Sequence, residues 1–332
     1  MSQPTPGDVH VNAPLSNISI AFMQNRGDFI ADQVFSNIPV AKQSDVYYLY
    51  DRGFFMRDEM SIRAPGTETV GSGYEVSTSP YYCPVYGFHH DIPDQRRANA
   101  DTVLNQDREA VELVTMKAML KREIDWSNAY MANGVWTTDI TGVASGPGAG
   151  ETIQWDAGVG GADSDPIADI RTGLLTVQQS TGFRPNTMVI GPEVFDALID
   201  QVDIVDRVKY GQTAPGIARA DINSLKNLFG IDRILIGQAV QNTAAEGITN
   251  AFSFVTGKSC LLAYVAPNPG IMTPSAGYTF SWNGYLGASP SGNRIKRFRM
   301  EAIASDRVEI ESAFVHQLVS ADLGYLFETI IS

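Results

Sequence analysis

The sequence predicts a mixed α and β protein: one compact central unit, preceded by an arm, a hairpin and an unusually long helix. Three observations carry that reading. Helical periodicity runs from residue 101 to 133 with no Gly or Pro to interrupt it. Between residues 166 and 270, short apolar strand-like runs alternate with helix-spaced ones, which describes an α+β or α/β domain. Nearer the C-terminus, two runs alternate with period two, as half-buried antiparallel strands do.

Taken in order, residues 1–45 read as an arm. Pro4, Pro6, Pro14 and Pro39 discourage long helices, yet Ile18, Ile20, Phe22 and Met23 are apolar. Such a segment is expected to lie on a surface other than its own core, with roughly the first dozen residues disordered. Residues 46–90 read as hairpin material. Val46-Tyr47-Tyr48-Leu49-Tyr50 is aromatic and β-branched, and Tyr74-Glu75-Val76-Ser77-Thr78 alternates again. Asp51-Arg52-Gly53, Pro65-Gly66 and Gly71-Ser72-Gly73 supply the turn chemistry between them. A two-stranded hairpin is marginal alone, so this one is expected to project and lie on a neighbour.

The helix over 101–133 places Val103, Ala110, Val111, Val114, Ala118 and Leu120 at helical spacing, with Arg108–Glu112 and Lys121–Asp125 one turn apart. Gly134 stands where a C-cap belongs, which gives a helix of about 50 Å. Residues 137–165 are rich in Gly, Ala, Ser and Asp and read as a loop. Asp165-Pro166 opens a second helix, buried through Ile167, Ile170, Leu174 and Val177 and ended by Gly182. Thr187 to Gly191, Arg233 to Ile236 and Leu261 to Val265 read as buried strands. Pro192 begins one further helix, and Ile222 to Phe229, closed by Gly230, forms another. In the returning strands Phe298, Met300 and Ala302 alternate with Arg297, Arg299 and Glu301, and Val308 and Ile310 with Glu309 and Glu311.

Composition narrows the function classes. The 332 residues are 44% hydrophobic and 18% charged, an ordinary globular balance. No run reaches the ~18 apolar residues of a membrane span, and the N-terminus lacks the regions of a secretory signal, so membrane insertion and that export route are not expected. Cys83 and Cys260 are too few for a disulfide framework and fit two thiols in a reducing cytoplasm. A net charge of -13, from 24 basic against 37 acidic residues, argues against a protein that grips DNA through its phosphates.

No motif carries catalysis or a cofactor. Gly257-Lys258-Ser259 resembles the end of a phosphate loop, but the glycine that motif needs at position 252 is Phe252. Gly142-Val143-Ala144-Ser145-Gly146 has the wrong spacing for a nucleophile elbow. His89-His90-Asp91, with Cys83 and Asp94, is the best metal candidate, but adjacent histidines on a strand point to opposite faces, so packing or surface histidines are the better reading. The basic run from Gly292 to Arg299 could meet DNA or acidic neighbours; the overall acidity favours Asp and Glu partners across a sheet.

The order of arm, hairpin, long helix, mixed domain and returning strands resembles the Hong Kong 97 fold of tailed-phage major capsid proteins. The segments that carry the resemblance run in family order: Ile30 to Phe35, Pro39 to Ser44, Arg63 to Glu68, Arg97 to Asp101, Arg184 to Thr187, Asn242 to Gly247 and Pro274 to Phe280. The resemblance implies an α+β fold with an N-terminal arm over 1–45, an extended loop over 46–92, a peripheral domain over 93–165 with its spine helix at 101–133, an axial domain over 166–285, and returning strands over 286–332. It implies a structural protein, not an enzyme, that needs no cofactor and assembles with itself into pentamers and hexamers of an icosahedral shell in the virion, made in the host cytoplasm. It further implies a portal protein and packaged double-stranded DNA held without sequence-specific contacts, for which an acidic wall is suitable; decoration proteins are an option, and scaffolding is either a separate protein or a segment already removed from this sequence. Arg52, Arg57 and Arg63 on the hairpin are the expected partners of a neighbour's carboxylates. The chain departs from some members in having no lysine between Lys42 and Lys117, so a lysine cross-link from the loop is not expected, and residues 1–45 do not resemble a charged scaffolding helix. An encapsulin-like compartment shell has the same fold, and a soluble hydrolase would need a cleft with perturbed titratable groups.

Overall fold

The computed structural model describes residues 24–100, 105–158, 163–211, 220–270, 272–286 and 292–332, so residues 1–23 of the arm and Val103 lie outside the described residues. The rest of the arm corrects the expectation of an appendage. It forms α1 (Ala31–Val34) and β1 (Asn37–Val40), and Phe29, Ile30, Ala31, Val34 and Phe35 are all buried in their own chain. Their three- and four-residue spacing fits one helical turn seated in a cleft.

The hairpin follows as β2 (Ser44–Tyr50), α2 (Arg52–Phe55) and β3 (Val76–Tyr82), with β2 and β3 antiparallel. It ends sooner than the sequence suggests. β4 (Val85–Pro93) belongs to a different sheet, and α3 (Asp94–Ala98) leads on from it. The long helix is α4 (Gln106–Tyr130), 25 residues or about 37 Å, capped by the Asn105 side chain, which accepts from Arg108 N at 3.1 Å. Its expected ion pairs form, at 2.8 Å for Arg108–Glu112 and 2.6 Å for Lys121–Asp125. It stops short of Gly134, which is therefore not its cap; the N–H of Gly134 donates to Asp139 in the next turn.

The expected loop over 137–165 contains two strands, β5 (Asp139–Val143) and β6 (Glu151–Ile153). Gly142 explains why they read poorly: a Cβ there would lie 2.3 Å from the Thr329 carbonyl oxygen, so close backbone approach requires the glycine that weakens the strand pattern. The central unit then matches its sequence closely. α5 (Pro166–Thr181) carries Asp165 at its N-cap and Gly182 in the left-handed conformation at its end. β7 (Thr187–Ile190), α6 (Pro192–Asp200), α7 (Val202–Gly211), α8 (Ile222–Phe229) and β8 (Arg233–Ile236) follow. A small hairpin of β9 (Val240–Asn242) and β10 (Phe252–Phe254) precedes β11 (Cys260–Ala263), β12 (Gly277–Trp282) and α9 (Asn283–Leu286). The chain closes with β13 (Asn293–Met300), β14 (Ser305–Leu318) and β15 (Gly324–Glu328).

Two sheets organise these elements. The larger has the order β6-β5-β15-β11-β7-β8, so strands from both ends of the expected peripheral region join those of the central unit. Both of its faces are covered, and alternate residues go to different cores. Met188, Ile190, Cys260, Leu262, Tyr325 and Phe327 pack with α5, α6 and α8; Val189, Leu261, Ala263 and Leu326 pack with α1 and the end of α4. In the second sheet β14 is the central strand. Its first half lies between β4 and β13, its second half pairs with β12, and β12 holds β1 in parallel. The start of α4 covers this sheet through Ala110 and Val114 against Ile92, Val308 and Ile310.

Two predictions follow from the packing between the sheets. A Cβ on Gly324 would sit 2.1 Å from the buried Trp136 ring, so Gly324→Ala should lower stability by roughly 3 kcal/mol, read by denaturant unfolding; a loss below about 0.5 kcal/mol would contradict this packing. The second concerns Glu123, which has no solvent exposure and whose carboxylate accepts from Ile30 N at 3.0 Å and Ala31 N at 2.8 Å. Burial raises its pKa from 4.5 to about 7, opposed by those two hydrogen bonds. The folded chain thus holds a proton that the unfolded chain has released, and this group's stabilisation, full below pH 4.5, is lost as pH rises to about 7, by roughly 3 kcal/mol. Glu123→Gln should flatten that window relative to wild type in unfolding measured from pH 4.5 to 8. Glu123→Ala, which strands two amides, should cost about 2–4 kcal/mol at pH 5.

Candidate interaction surface

The hairpin is fastened at its base and carries exposed apolar side chains at its far end. At the base Tyr81 stacks on Phe280 with ring centroids 4.8 Å apart, Tyr47 lies 5.7 Å from the same ring, and Cys83 is buried beside them. Tyr47 faces this small core, so its neighbours Val46 and Tyr48 point outward, as period two requires. At the far end Asp51 Oδ1 accepts from Gly53 N at 3.0 Å and opens α2. Thr67 N donates to Ala64 O with Gly66 at φ 82°, so Pro65-Gly66 makes the turn its sequence predicts. Residues 56–75 otherwise have no regular structure, and Met60 and Ile62 are 95% and 102% exposed. Val70 and Tyr74 are exposed as well, so a connected element carries apolar side chains on both of its strands and on its tip.

The three arginines singled out from sequence do not gather in one place. Arg52 pairs with Asp322 of its own chain at 2.7 Å. Arg57 lies 3.5 Å from Glu59 and over the Phe54 ring, while Arg63 donates from Nε to Thr67 O.

The basic run is neutralised within the sheet, as its acidic surroundings suggest. Arg294 and Lys296 each reach Glu311 at 2.7 Å, on the face where Arg307 pairs with Asp91 at 2.7 Å. On the opposite face Arg297 reaches Asp107 and Asp306, Arg299 reaches Asp94 and Asp306, and Arg97 pairs with both Asp107 and Asp306. Three arginines hold the Asp306 carboxyl down to about 2, Arg97 foremost. The alternation of β13 is therefore the reverse of the expected one. Arg297 and Arg299 turn towards α4 because Asp107 waits there, and Phe298 is left exposed.

Several other titratable groups are committed to structure. Of the metal candidates, Asp91 is taken by Arg307, His89 lies 3.8 Å from Asp91, and Cys83 Sγ faces Phe280 O with its pKa raised by burial to about 11. Among the described residues no cluster of His, Cys, Asp and Glu has metal-binding geometry. His316, which the sequence did not single out, is half-buried between Thr279 Oγ1 at 2.9 Å and Arg122 O at 3.3 Å. Burial, and then the Arg122 charge, lower it to about 3, so it is neutral. An open depression of about 490 Å³ is lined by Glu151, Asp163, Asp165, Asp169 and Asp203, of which Asp169 accepts from Trp155 Nε1 and Thr152 Oγ1. Among the described residues no helix is long and apolar enough to cross a membrane.

No family model matches the chain. Curated relatives do. The major capsid protein of Burkholderia phage BcepMu is 30% identical over 174 residues, 51% of this chain and 52% of that protein, so the match spans about half of each. The major capsid protein of Pseudomonas phage JBD67 is 24% identical over 324 residues, 97% of both chains. Among solved structures, a phage-related protein from Bordetella bronchiseptica RB50 superposes with a TM-score of 0.68 at 21% identity, covering 92% of this chain and 93% of that one. The capsid of cyanophage P-SCSP1u gives 0.63 at 11% identity over 98% and 95%, and the SrpI encapsulin complex of Synechococcus elongatus PCC 7942 gives 0.53 at 10% over 96% and 94%. The likeness to a phage major capsid protein runs over nearly the whole length and agrees with the fold: this chain is similar in sequence to phage major capsid proteins and has the mixed α and β architecture seen in phage capsid subunits.

Proposed function

We propose that the chain is a shell-forming subunit with the Hong Kong 97 capsid fold, a structural protein that assembles with itself into pentamers and hexamers enclosing double-stranded DNA. The observation that carries the reading is the hairpin: an ordered element whose tip residues Met60 and Ile62 are fully exposed and whose base is firmly packed. Burying two such side chains contributes about 3–6 kcal/mol, and a second copy of the chain is the surface available in every assembly. The extended loop is then the β2–β3 hairpin and its tip. The spine helix is α4 and the peripheral sheet is the one built on β14. The axial domain is the six-stranded sheet with α5 to α8, enlarged by β5, β6 and β15 beyond its sequence bounds. Arg57 and Arg63, ahead of the Pro65-Gly66 turn, are the arginines offered to a neighbour's carboxylates, since Arg57 is only loosely paired with its own Glu59 at 3.5 Å, whereas Arg52 is held at 2.7 Å by Asp322.

The proposed setting is the virion, reached by assembly in the host cytoplasm with a portal. With no lysine between Lys42 and Lys117, the loop holds its neighbour without a lysine cross-link. The net charge of -13 suits a wall past which DNA slides without sticking. An encapsulin-like compartment is the second reading, supported by the shared fold with the SrpI encapsulin; the curated relatives favour the virus.

Negative-stain electron microscopy with size-exclusion chromatography of the purified chain should give closed shells or rings of five and six, and a monomer at high concentration would end the shell reading. DNA inside particles isolated from cells supports the virus, and a docked protein cargo the compartment. Met60→Asp combined with Ile62→Asp should abolish shells at concentrations at least a hundredfold above the wild-type threshold, while the thermal midpoint of the free subunit stays within about 2 °C.

A further inference from the structure

The far end of the hairpin also carries contacts back to its own chain, and these have a purpose of their own. Arg52 Nη1 lies 2.7 Å from Asp322 Oδ2. Asp322 accepts from Thr137 Oγ1 at 2.8 Å, so its carboxylate is fixed from a second side. Met56 reaches the end of α5: its Cε lies 3.3 Å from where a Cβ on Gly182 would be. The rings of Tyr50, Phe55 and Tyr74 close a triangle with centroids 6.4, 5.6 and 5.9 Å apart, which ties α2 to β2 and to the segment leading into β3. Beyond this fixed head come the exposed Met60, Ile62 and Val70.

We infer that Arg52 and Asp322 are positioning residues, a brace between the hairpin head and the β14–β15 junction that sets the direction in which the apolar tip meets a second copy of this chain. The inference rests on the shell reading above. An ion pair this exposed shifts an equilibrium only by about two- to fivefold, too little to hold a docked tip back. It is enough to bias where a free arm points, and ordering an arm before association removes that cost from association itself. In a closed ring the bias acts once per subunit, so about a twofold effect at each contact compounds to roughly thirty- to sixtyfold over five or six contacts.

The test uses the full-length chain with four variants: Arg52→Glu, Asp322→Arg, the two combined, and Asp322→Asn as the mildest change. Shell formation is followed by light scattering, and the dissociated subunit is exposed to trypsin with cleavage read by mass spectrometry at the Arg57 and Arg63 bonds alone, because Arg52→Glu removes a tryptic site and Asp322→Arg adds one. Each single variant should assemble at least tenfold more slowly and be cut several-fold faster, with an unchanged thermal midpoint. The charge swap should return both rates to within about threefold of wild type, which a merely local destabilisation would not do. Wild-type rates in the single variants, faster assembly, or a swap that fails to restore would overturn the brace. If the wild-type chain formed no shells the shell reading would fall, and equal cleavage of wild type and Asp322→Asn would separately remove the brace.

Discussion

The long helix carries Arg122 and Glu123 where it passes from one sheet to the other, and both are buried. Glu123 gives one carboxylate oxygen to the amides of Ile30 and Ala31, and Arg122 reaches Asp32 at 2.7 Å with its guanidinium 4.9 Å over the Phe314 ring. Two adjacent residues of α4 thereby fasten the strap that runs from Gln24 to Val40. A buried carboxylate without donors costs several kcal/mol, so the position selects for a chain end that presents free amides, which the first turn of a short helix does. Everything else about the strap follows. The Gln24 side chain bonds the N–H and C=O of Val240, Phe29 seals Ala239 and Val255, Arg233 donates to Val34 O, and β1 joins β12. One segment therefore ties the helix, both sheets and the small hairpin together.

β14 meets the same problem from the other end of the chain. Its fourteen residues run through the second sheet and arrive at Tyr130, whose hydroxyl lies 3.1 and 3.2 Å from the carbonyls of Gln317 and Tyr278. Trp136 donates its ring N–H to Tyr130 O at 2.7 Å, and Gly324 gives the indole room. Aromatic bodies fill the junction, and their polar edges are bonded to backbone carbonyls. A rigid junction transmits orientation, so a hairpin rooted on Phe280 and braced at Asp322 holds a fixed relation to both sheets.

How much of this the sequence revealed depended on whether the relevant interaction was local. The ends of α5 and α8 were legible to the residue, because Asp165, Pro166, Gly182 and Gly230 act within one turn. The hairpin turn and the ion-paired basic run were legible too, since turn chemistry and charge balance need no tertiary context. The strap was not. Phe29 to Phe35 form too short a run to show which core they belong to, and their partners lie some ninety residues away at Arg122 and Glu123. Reading the helix face as purely apolar hid these two residues, although an Arg-Glu pair beside Trp126 on the far side of the helix was the available signal. β5 was lost because its partner is β15, nearly two hundred residues later, and β6 because it is held only through β5. The alternation of β13 was reversed because Asp107, on another element, outweighed the burial of Phe298.

The same division between local and distant forces explains why the proposed interaction surface is apolar in so acidic a protein. Within the chain, the basic side chains of β13 are paired with Glu311, Asp306, Asp107 and Asp94, so little free positive charge remains there to attract another copy. Copies of a chain with a net charge of -13 repel one another at long range, although at physiological salt that repulsion is screened beyond about 8 Å. In the proposed shell, cohesion between copies comes from contacts that act at short range and are indifferent to salt. Met60, Ile62 and Val70 are of that kind, whereas ion pairs at the rim would contribute little and mainly set register. An apolar tip is useful only if it points at its partner, and a flexible one would invite non-specific association. Stiffening the hairpin with the Tyr50, Phe55 and Tyr74 rings and seating its head on the subunit body turns a sticky loop into a directional one.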